Sequence, residues 1–313
     1  MKRRLIFVDT DAGTDDAIAL IMLLKHPNIE VVGISCVGGN TGVHQVAQNV
    51  MYILEKLNKD IPVYVGADRP LTRPLKSSGF IHGSDGFGDL DIDNQGRTPA
   101  SIDAIEGLKK AIEVYHQSLT VITIGPMTNL ALMLQRYPDL TQRIGQLWIM
   151  GGNYQMPGNI TPVSEYNFWA DPEASNYCLQ ASIPKTLVGW DITIRSGYLT
   201  LDELEQLKSL EHELLQALYD MQHIRFKWLE EYGQDIKCTL ADACAVTALL
   251  RDDFITASGE YYCDIVLSDD DDDTRGMLIV DINNLKGQQP NAHVILQADR
   301  EVFVEEVLKL LLL

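Results

Sequence analysis

Four carboxylates crowd one short stretch near the amino terminus: Asp9, Asp11, Asp15 and Asp16, within Phe7-Val8-Asp9-Thr10-Asp11-Ala12-Gly13-Thr14-Asp15-Asp16-Ala17. Carboxylates this close repel one another, and one is driven to hold its proton. A hard divalent cation removes the conflict, because calcium and magnesium take their ligands from several oxygens. Helix capping by Asp15 or Asp16 accounts for one acid, or two. It does not account for four at the carboxyl end of a buried strand, where α/β proteins place their ligands. Two familiar ion and phosphate loops fail on spacing. Counted from Asp9, an EF-hand would need Asp or Asn, Gly and Glu where Gly13, Thr14 and Leu20 stand. A P-loop would need a Gly-Lys pair, and no lysine is present in the stretch. The expected chemistry is a metal site rich in oxygen ligands.

A second polar group follows much later, in Asn159, Glu165, Tyr166 and Asn167. Asp171-Pro172 just beyond it has a structural reading, as the cap and first residue of a helix. Asn159, Glu165 and Asn167 have none in the sequence. Amides both donate and accept, and a carboxylate accepts from a diol, so the set suits a hydroxyl-rich ligand. Between these clusters, residues 67–100 carry Pro70, Pro74 and the run Gly79-Phe80-Ile81-His82-Gly83-Ser84-Asp85-Gly86-Phe87-Gly88. A loop of this length in a compact domain is often a functional lid, with His82 as its chemical side chain.

The elements that must position these residues alternate. The apolar run Leu5–Val8 reads as a buried parallel strand, and Ala17–Leu24 as a buried helix stopped before Pro27. Strands are expected at 31–37, 63–66, 119–124, 146–150 and 185–190, with helices over 44–58, 101–117, after Gly125, and from Asp171. Residues 200–232 read as amphipathic helix, with the rings of Phe226 and Trp228 in the core. A hairpin is expected from 261–267 and 277–281, then an edge strand at 294–297 and a closing helix over 300–313. The Asp269–Asp273 run at the hairpin tip lacks the glycine of a calcium loop and reads as a solvated turn. Strand-helix alternation predicts an α/β fold: one domain over residues 1–313, with a mostly parallel, Rossmann-like central sheet flanked by helices.

Composition narrows the function classes. The chain has 313 residues, 46% of them hydrophobic, and a formal net charge of −19. That charge argues against nucleic acid and against an anionic membrane surface as partners. The apolar run after Met1-Lys2-Arg3-Arg4 is too short for a signal peptide, and the leucine-rich carboxyl end is too short to span a bilayer. Five cysteines without a Cys-x-x-Cys pair read as buried free thiols. A cytoplasmic location is expected.

The acidic stretch resembles the signature of the inosine-uridine-preferring nucleoside hydrolases, Asp-x-Asp-Pro-Gly-x-Asp-Asp-Ala, with Ala12 in place of the proline. Gly125-Pro126-Met127-Thr128-Asn129-Leu130-Ala131 resembles the family's Gly-Pro-Leu-Thr-Asn-Leu-Ala box. Asn159, Glu165-Tyr166-Asn167 and Asp171-Pro172-Glu173-Ala174 match its sugar-binding segment, and Thr274-Arg275-Gly276 its Thr-Arg-Gly. The resemblance implies calcium-dependent hydrolysis of a ribonucleoside to ribose and base. It places Ca²⁺ on Asp11, Asp16, Asp242 and the backbone carbonyl of Ile124, and makes Asp11 the general base. Asp15, Asn40, Asn159, Glu165 and Asn167 would hold the ribose, Tyr166 would lie beside sugar or base, and His82 would cover the base and assist its departure. Relatives carry His-Asp-Pro where this chain has Ala241-Asp242-Ala243. The histidine that protonates purines is therefore absent, which favours pyrimidine or broad preference. Relatives are commonly dimers or tetramers, so a homo-oligomer is expected.

Two other functions fit parts of the chain. Val8-Asp9-Thr10-Asp11 looks like the strand-borne pair of a haloacid-dehalogenase-like phosphatase, but Gly13 stands where that family has Thr or Val. Ala241 alone would also suit a nucleoside- or ribose-binding protein that does not cleave.

Overall fold

The computed structural model describes residues 3–313 except 91, 93–95, 211, 232–236 and 269–271, and the side chain of Trp228. The first half alternates as expected: β1 (Arg4–Thr10), α1 (Thr14–Lys25), β2 (Ile29–Cys36), α2 (Val43–Lys56), β3 (Val63–Val65), a short α3 (Gly79–His82), α4 (Ala104–Tyr115), β4 (Leu119–Thr123), α5 (Thr128–Arg136) and β5 (Gln146–Met150). Then come α6 (Tyr166–Ala170), α7 (Pro172–Gln180), β6 (Lys185–Val188), α8 (Trp190–Ser196), β7 (Tyr198–Thr200), α9 (Leu201–Lys208), α10 (Glu213–Met221) and α11 (His223–Glu231). The chain closes with β8 (Lys237–Thr239), α12 (Ala241–Leu250), β9 (Ile255–Tyr261), β10 (Cys263–Ile265), β11 (Leu278–Val280), β12 (Ala292–Ala298) and α13 (Arg300–Leu312).

Eight strands form one sheet in the order β3-β2-β1-β4-β5-β6-β12-β9. All neighbours are parallel except β9, which runs antiparallel to β12 at the edge. β1 is central because side chains on both of its faces are apolar and buried. Ile6 and Val8 pack into a core with α1, α2, α12 and α13, while Phe7 packs on the other side with α4 and α5. The order reverses at β1, which has β2 on one side and β4 on the other. A crevice opens at such a reversal outside the carboxyl ends of the strands. Asp9 and Thr10 end β1, so Asp11 enters that crevice.

Five expectations change. Helix α1 begins at Thr14, three residues before Ala17, with Gly13 as its cap. The strand expected to reach Trp190 stops at Val188, because Gly189 turns the chain into α8. Where one helix is expected over 200–232, three short helices stand, the first ending before Ser209 and the second before Gln222. The segment at 294–297 is no edge strand: β9, which lacks the apolar run of a buried strand, pairs on its outer side. Helix α6 is an addition, since five residues are too few for a periodic pattern. The 261–267/277–281 hairpin is present as β10 and β11. Of its acidic tip, residues 269–271 lie outside the described residues. Asp272 takes hydrogen bonds from Ser268 and Thr274.

One buried amide ties the ends of three strands together. Asn129 donates to Asp9 Oδ1 at 2.8 Å and to the Cys36 carbonyl at 3.0 Å, and accepts from Ala67 N at 2.8 Å. Replacing it by alanine takes the amide partner from the Ala67 N–H and one donor each from the Cys36 carbonyl and Asp9 Oδ1, which keep Gly66 N and the Ser35 hydroxyl. The Asn129→Ala protein should lose about 3 kcal/mol of unfolding free energy, read by urea denaturation. A change below about 0.5 kcal/mol would mean the strand ends are held by other contacts.

Candidate active site

The turn after β1 builds a pocket for negative charge. Asp16, in the first turn of α1, accepts from Gly13 N at 2.8 Å, from the Thr10 hydroxyl, and from Asn40 Nδ2 at 3.3 Å. It thus closes the amino end of its own helix, where the backbone dipole favours an anion. Asp15 accepts from Ala241 N at 3.1 Å, at the start of α12. Asp242 lies in the first turn of that helix. Oxygens of Asp15, Asp16 and Asp242 lie within 4.8 Å of one another, and all three residues are buried. Asp11 stands beside them: Asn40 N donates to its Oδ2 at 2.8 Å. Its Oδ1 is buried with no hydrogen-bond partner among the described residues. A Cβ at Gly39 would lie 2.1 Å from Asp11 Oδ2, so only glycine lets the β2 loop close over this carboxylate.

Burial raises the pKa of Asp11, Asp16 and Asp242, and the neighbouring carboxylates add to the effect. A set of buried acids that cannot all ionise alone, with one orphaned oxygen, fits a divalent cation of the oxygen-loving kind.

Asp11, Asp15 and Asp242 line a cavity of about 610 Å³, with Asp16 behind them. Asn40, Ser78, His82, Ile124, Asn159, Glu165, Tyr166 and Asn167 also line it. Glu165 has the structural role the sequence did not show. It caps α6, accepting from Asn167 N at 2.8 Å and Phe168 N at 3.3 Å, and it also accepts from Gly152 N at 2.8 Å. Asn159 likewise accepts from Tyr166 N at 2.8 Å. Asn167 Nδ2 reaches the carbonyls of Ile124 and Met150, each at 3.3 Å. The Tyr166 hydroxyl donates to the Lys76 carbonyl. The amides and the acid are therefore held by their own backbone before any ligand arrives.

His82 ends the short helix α3 inside the long loop. Its Nδ1 takes hydrogen bonds from Thr14 N at 3.3 Å and from the Thr14 hydroxyl at 3.0 Å, and lies 3.9 Å from Asp15. A backbone N–H can only donate, so Nδ1 is the bare nitrogen and Nε2 carries the proton. Burial pushes the imidazole down to about 4 despite the Asp15 charge. The neutral ring is the form present at neutral pH.

Phe226 turns away from this cavity and packs edge-on against Tyr219, with ring centres 5.8 Å apart. The side chain of Trp228 lies outside the described residues. The same helix sends Arg225 and Leu229 to the cavity instead. Met156, Trp190, Ile194 and Lys237 also line it, and no sequence motif marked them.

The inosine-uridine preferring nucleoside hydrolase family matches residues 6–305. The chain belongs to that family. It is 32% identical over 303 residues to the pyrimidine-specific ribonucleoside hydrolase RihA of Klebsiella pneumoniae, with 96% of each chain covered. Among solved structures it resembles a plant nucleoside hydrolase at 27% identity, with 98% of each chain covered and a TM-score of 0.90. A purine-preferring ribonucleoside hydrolase from Gardnerella vaginalis superposes with a TM-score of 0.88 at 26% identity, over 98% of this chain and 97% of that one. The chain is thus an N-glycosyl hydrolase, and the phosphatase and binding-protein readings fall away. Metal dependence comes with the family and agrees with the acidic cluster. Among the described residues no helix is long and apolar enough to cross a membrane.

Burial pushes the Glu165 carboxyl up to about 7, against three backbone N–H donors that favour its ionised form. Its folded pKa thus lies above its ordinary value, so it stabilises the fold fully below about pH 4.5, and that contribution is lost as pH rises through about 7. Unfolding free energy of the wild type minus that of Glu165→Gln should therefore fall between pH 5 and 8, by at most about 3 kcal/mol. Denaturant titrations at three pH values and fixed metal concentration read it. A flat difference would mean Glu165 is already ionised at pH 5.

Proposed function

We propose that this hydrolase cleaves ribonucleosides to ribose and free base with a bound Ca²⁺, and that pyrimidine ribonucleosides are among its substrates. The observation that carries the reading is the orphaned, buried Oδ1 of Asp11 beside three clustered acids, at the wall of a cavity whose other side presents fixed amides and a carboxylate. Asp11, Asp16, Asp242 and the Ile124 carbonyl would hold the ion, with Asp15 at its margin. The donor set is all oxygen, which suits calcium. When bound, the cation supplies Lewis-acid polarisation of the attacking water and a template for vicinal hydroxyls.

The protein's own residues do the rest. Asp11 is pinned through Oδ2 by the Asn40 backbone, so Oδ1 is the oxygen free to take a proton from water. Asn40, Asn159, Glu165 and Asn167 supply donors and acceptors for the ribose hydroxyls, and Asp15 adds a further acceptor. Because backbone groups already orient most of them, little order is lost on binding. The concentrated negative charge favours the oxocarbenium-like sugar that forms as the bond to the base stretches. His82, neutral with its proton on Nε2, can donate a hydrogen bond to the base but brings no positive charge. Two points support pyrimidine cleavage: the RihA relative is named pyrimidine-specific, and Ala241 stands where the family resemblance implies the histidine that protonates purines.

Prolonged chelation should abolish ribose release from uridine, and added Ca²⁺ should restore it. Full activity in excess chelator would remove the metal from the reaction. Asp11→Ala should lower kcat by about 10³-fold or more while the protein still folds. A turnover near that of the wild type would assign the base elsewhere.

A further inference from the structure

Helix α11 places one arginine in the wall of the cavity, and it is an unusual one. Arg225 is 92% buried, at 8% relative exposure. Its Nη1 donates to the Thr239 carbonyl and, at 3.8 Å, to Cys238 Sγ. Its Nε and Nη2 make no hydrogen bond to any described residue, and its guanidinium forms no ion pair with one. Charged side chains are almost never buried without a counter-ion, because the desolvation is not recovered. The other lysine or arginine among the described lining residues, Lys237, lies over the Tyr198 ring at 5.0 Å. Arg225 is near enough to His82 for its charge to help keep that ring neutral. It lines the same cavity as Asp11, Asp15 and Asp242, and its hydrogen bonds there are to Thr239 and Cys238 of β8.

We propose that the anion Arg225 lacks is formed during the reaction: the guanidinium donates through its free nitrogens to the departing base and stabilises the negative charge that builds there. This rests on the nucleoside-hydrolase reading above. As the C1′–N bond breaks, its electron pair passes to the base nitrogen and spreads onto the ring carbonyl oxygen. Water oxygen bonds to C1′, its proton passes to Asp11, and the base anion later takes a proton from solvent. An arginine does not give up its own proton in proteins, so it stabilises the leaving group as a charge and a donor rather than by protonating it. The substrate class that gains most has a poor leaving group with a carbonyl beside the glycosidic nitrogen, as in uridine.

The test compares two leaving groups on one variant. 4-Nitrophenyl riboside expels a phenolate that needs little help, whereas uridine expels a poor leaving group. Arg225→Ala should lose about 10²-fold or more in kcat on uridine, the loss typical of one missing transition-state donor, and far less on the nitrophenyl riboside. Guanidinium ion added to the variant should restore uridine turnover selectively. Turnover of the nitrophenyl riboside certifies that the variant is folded, and Arg225→Lys, which keeps the charge, should fall between wild type and alanine on uridine. Equal losses on both substrates, or none on either, would overturn the assignment. Wild-type protein inactive on every riboside would instead defeat the hydrolase reading, and this inference with it.

Discussion

Buried negative charge is the constraint on which the rest of this structure depends. Asp15, Asp16 and Asp242 come within 4.8 Å of one another, Asp11 shares Asn40 with Asp16 beside them, and all four are buried. Such a cluster is tolerable only if something positive faces it. Two helix amino termini do so in part, because α1 and α12 both begin at the cluster and Asp15 takes the Ala241 N–H across the gap between them. A bound metal ion, on which the family depends, would supply the remainder. The backbone is shaped for the same end: Ala12 turns at a φ of +39°, and Gly39 leaves room for the Asp11 carboxylate that any Cβ would invade.

The sheet explains why these acids can be held so closely. Reversal of strand order at β1 opens a crevice, and strands flanking β1 deliver their loops into it: Gly39-Asn40 after β2, and Ile124 after β4. Asn129 ties the ends of β1, β2 and β3 into a fixed rim. The second wall is made differently. Glu165 and Asn159 are held by backbone N–H groups around the one-turn helix α6, so the residues proposed to hold the sugar are also those that keep the loop in place. That overlap is why the sequence shows only an unexplained polar cluster.

The cavity carries both signs of charge. Asp11, Asp15 and Asp242 line it together with Arg225 and a neutral His82, which itself lies 3.9 Å from Asp15. Ala241, beside Asp242, gives its N–H to Asp15. Preorganised charges of this kind lower a barrier when they meet charge that develops in the transition state.

Much of this was written in the chain itself. The spacing of Asp9, Asp11, Asp15 and Asp16 after an apolar run is local chemistry: strand, turn and helix follow from hydrophobic period and from Pro27, and four acids in a turn imply an ion whatever surrounds them. The Asp171-Pro172 helix start and the β10–β11 hairpin are legible for the same reason, since each is decided by neighbours in sequence. Tertiary structure alone decided the rest. Nothing local says that Asp242 meets Asp15 and Asp16 across the chain, beyond the family resemblance. Nor does it say that β9 covers the edge of β12, or that Phe226 faces the core while Arg225 faces the cavity. Which side of a short helix is wet depends on what packs against it. The cost of a buried charge likewise depends on the distance to its counter-ion in space, a quantity that only the folded chain sets.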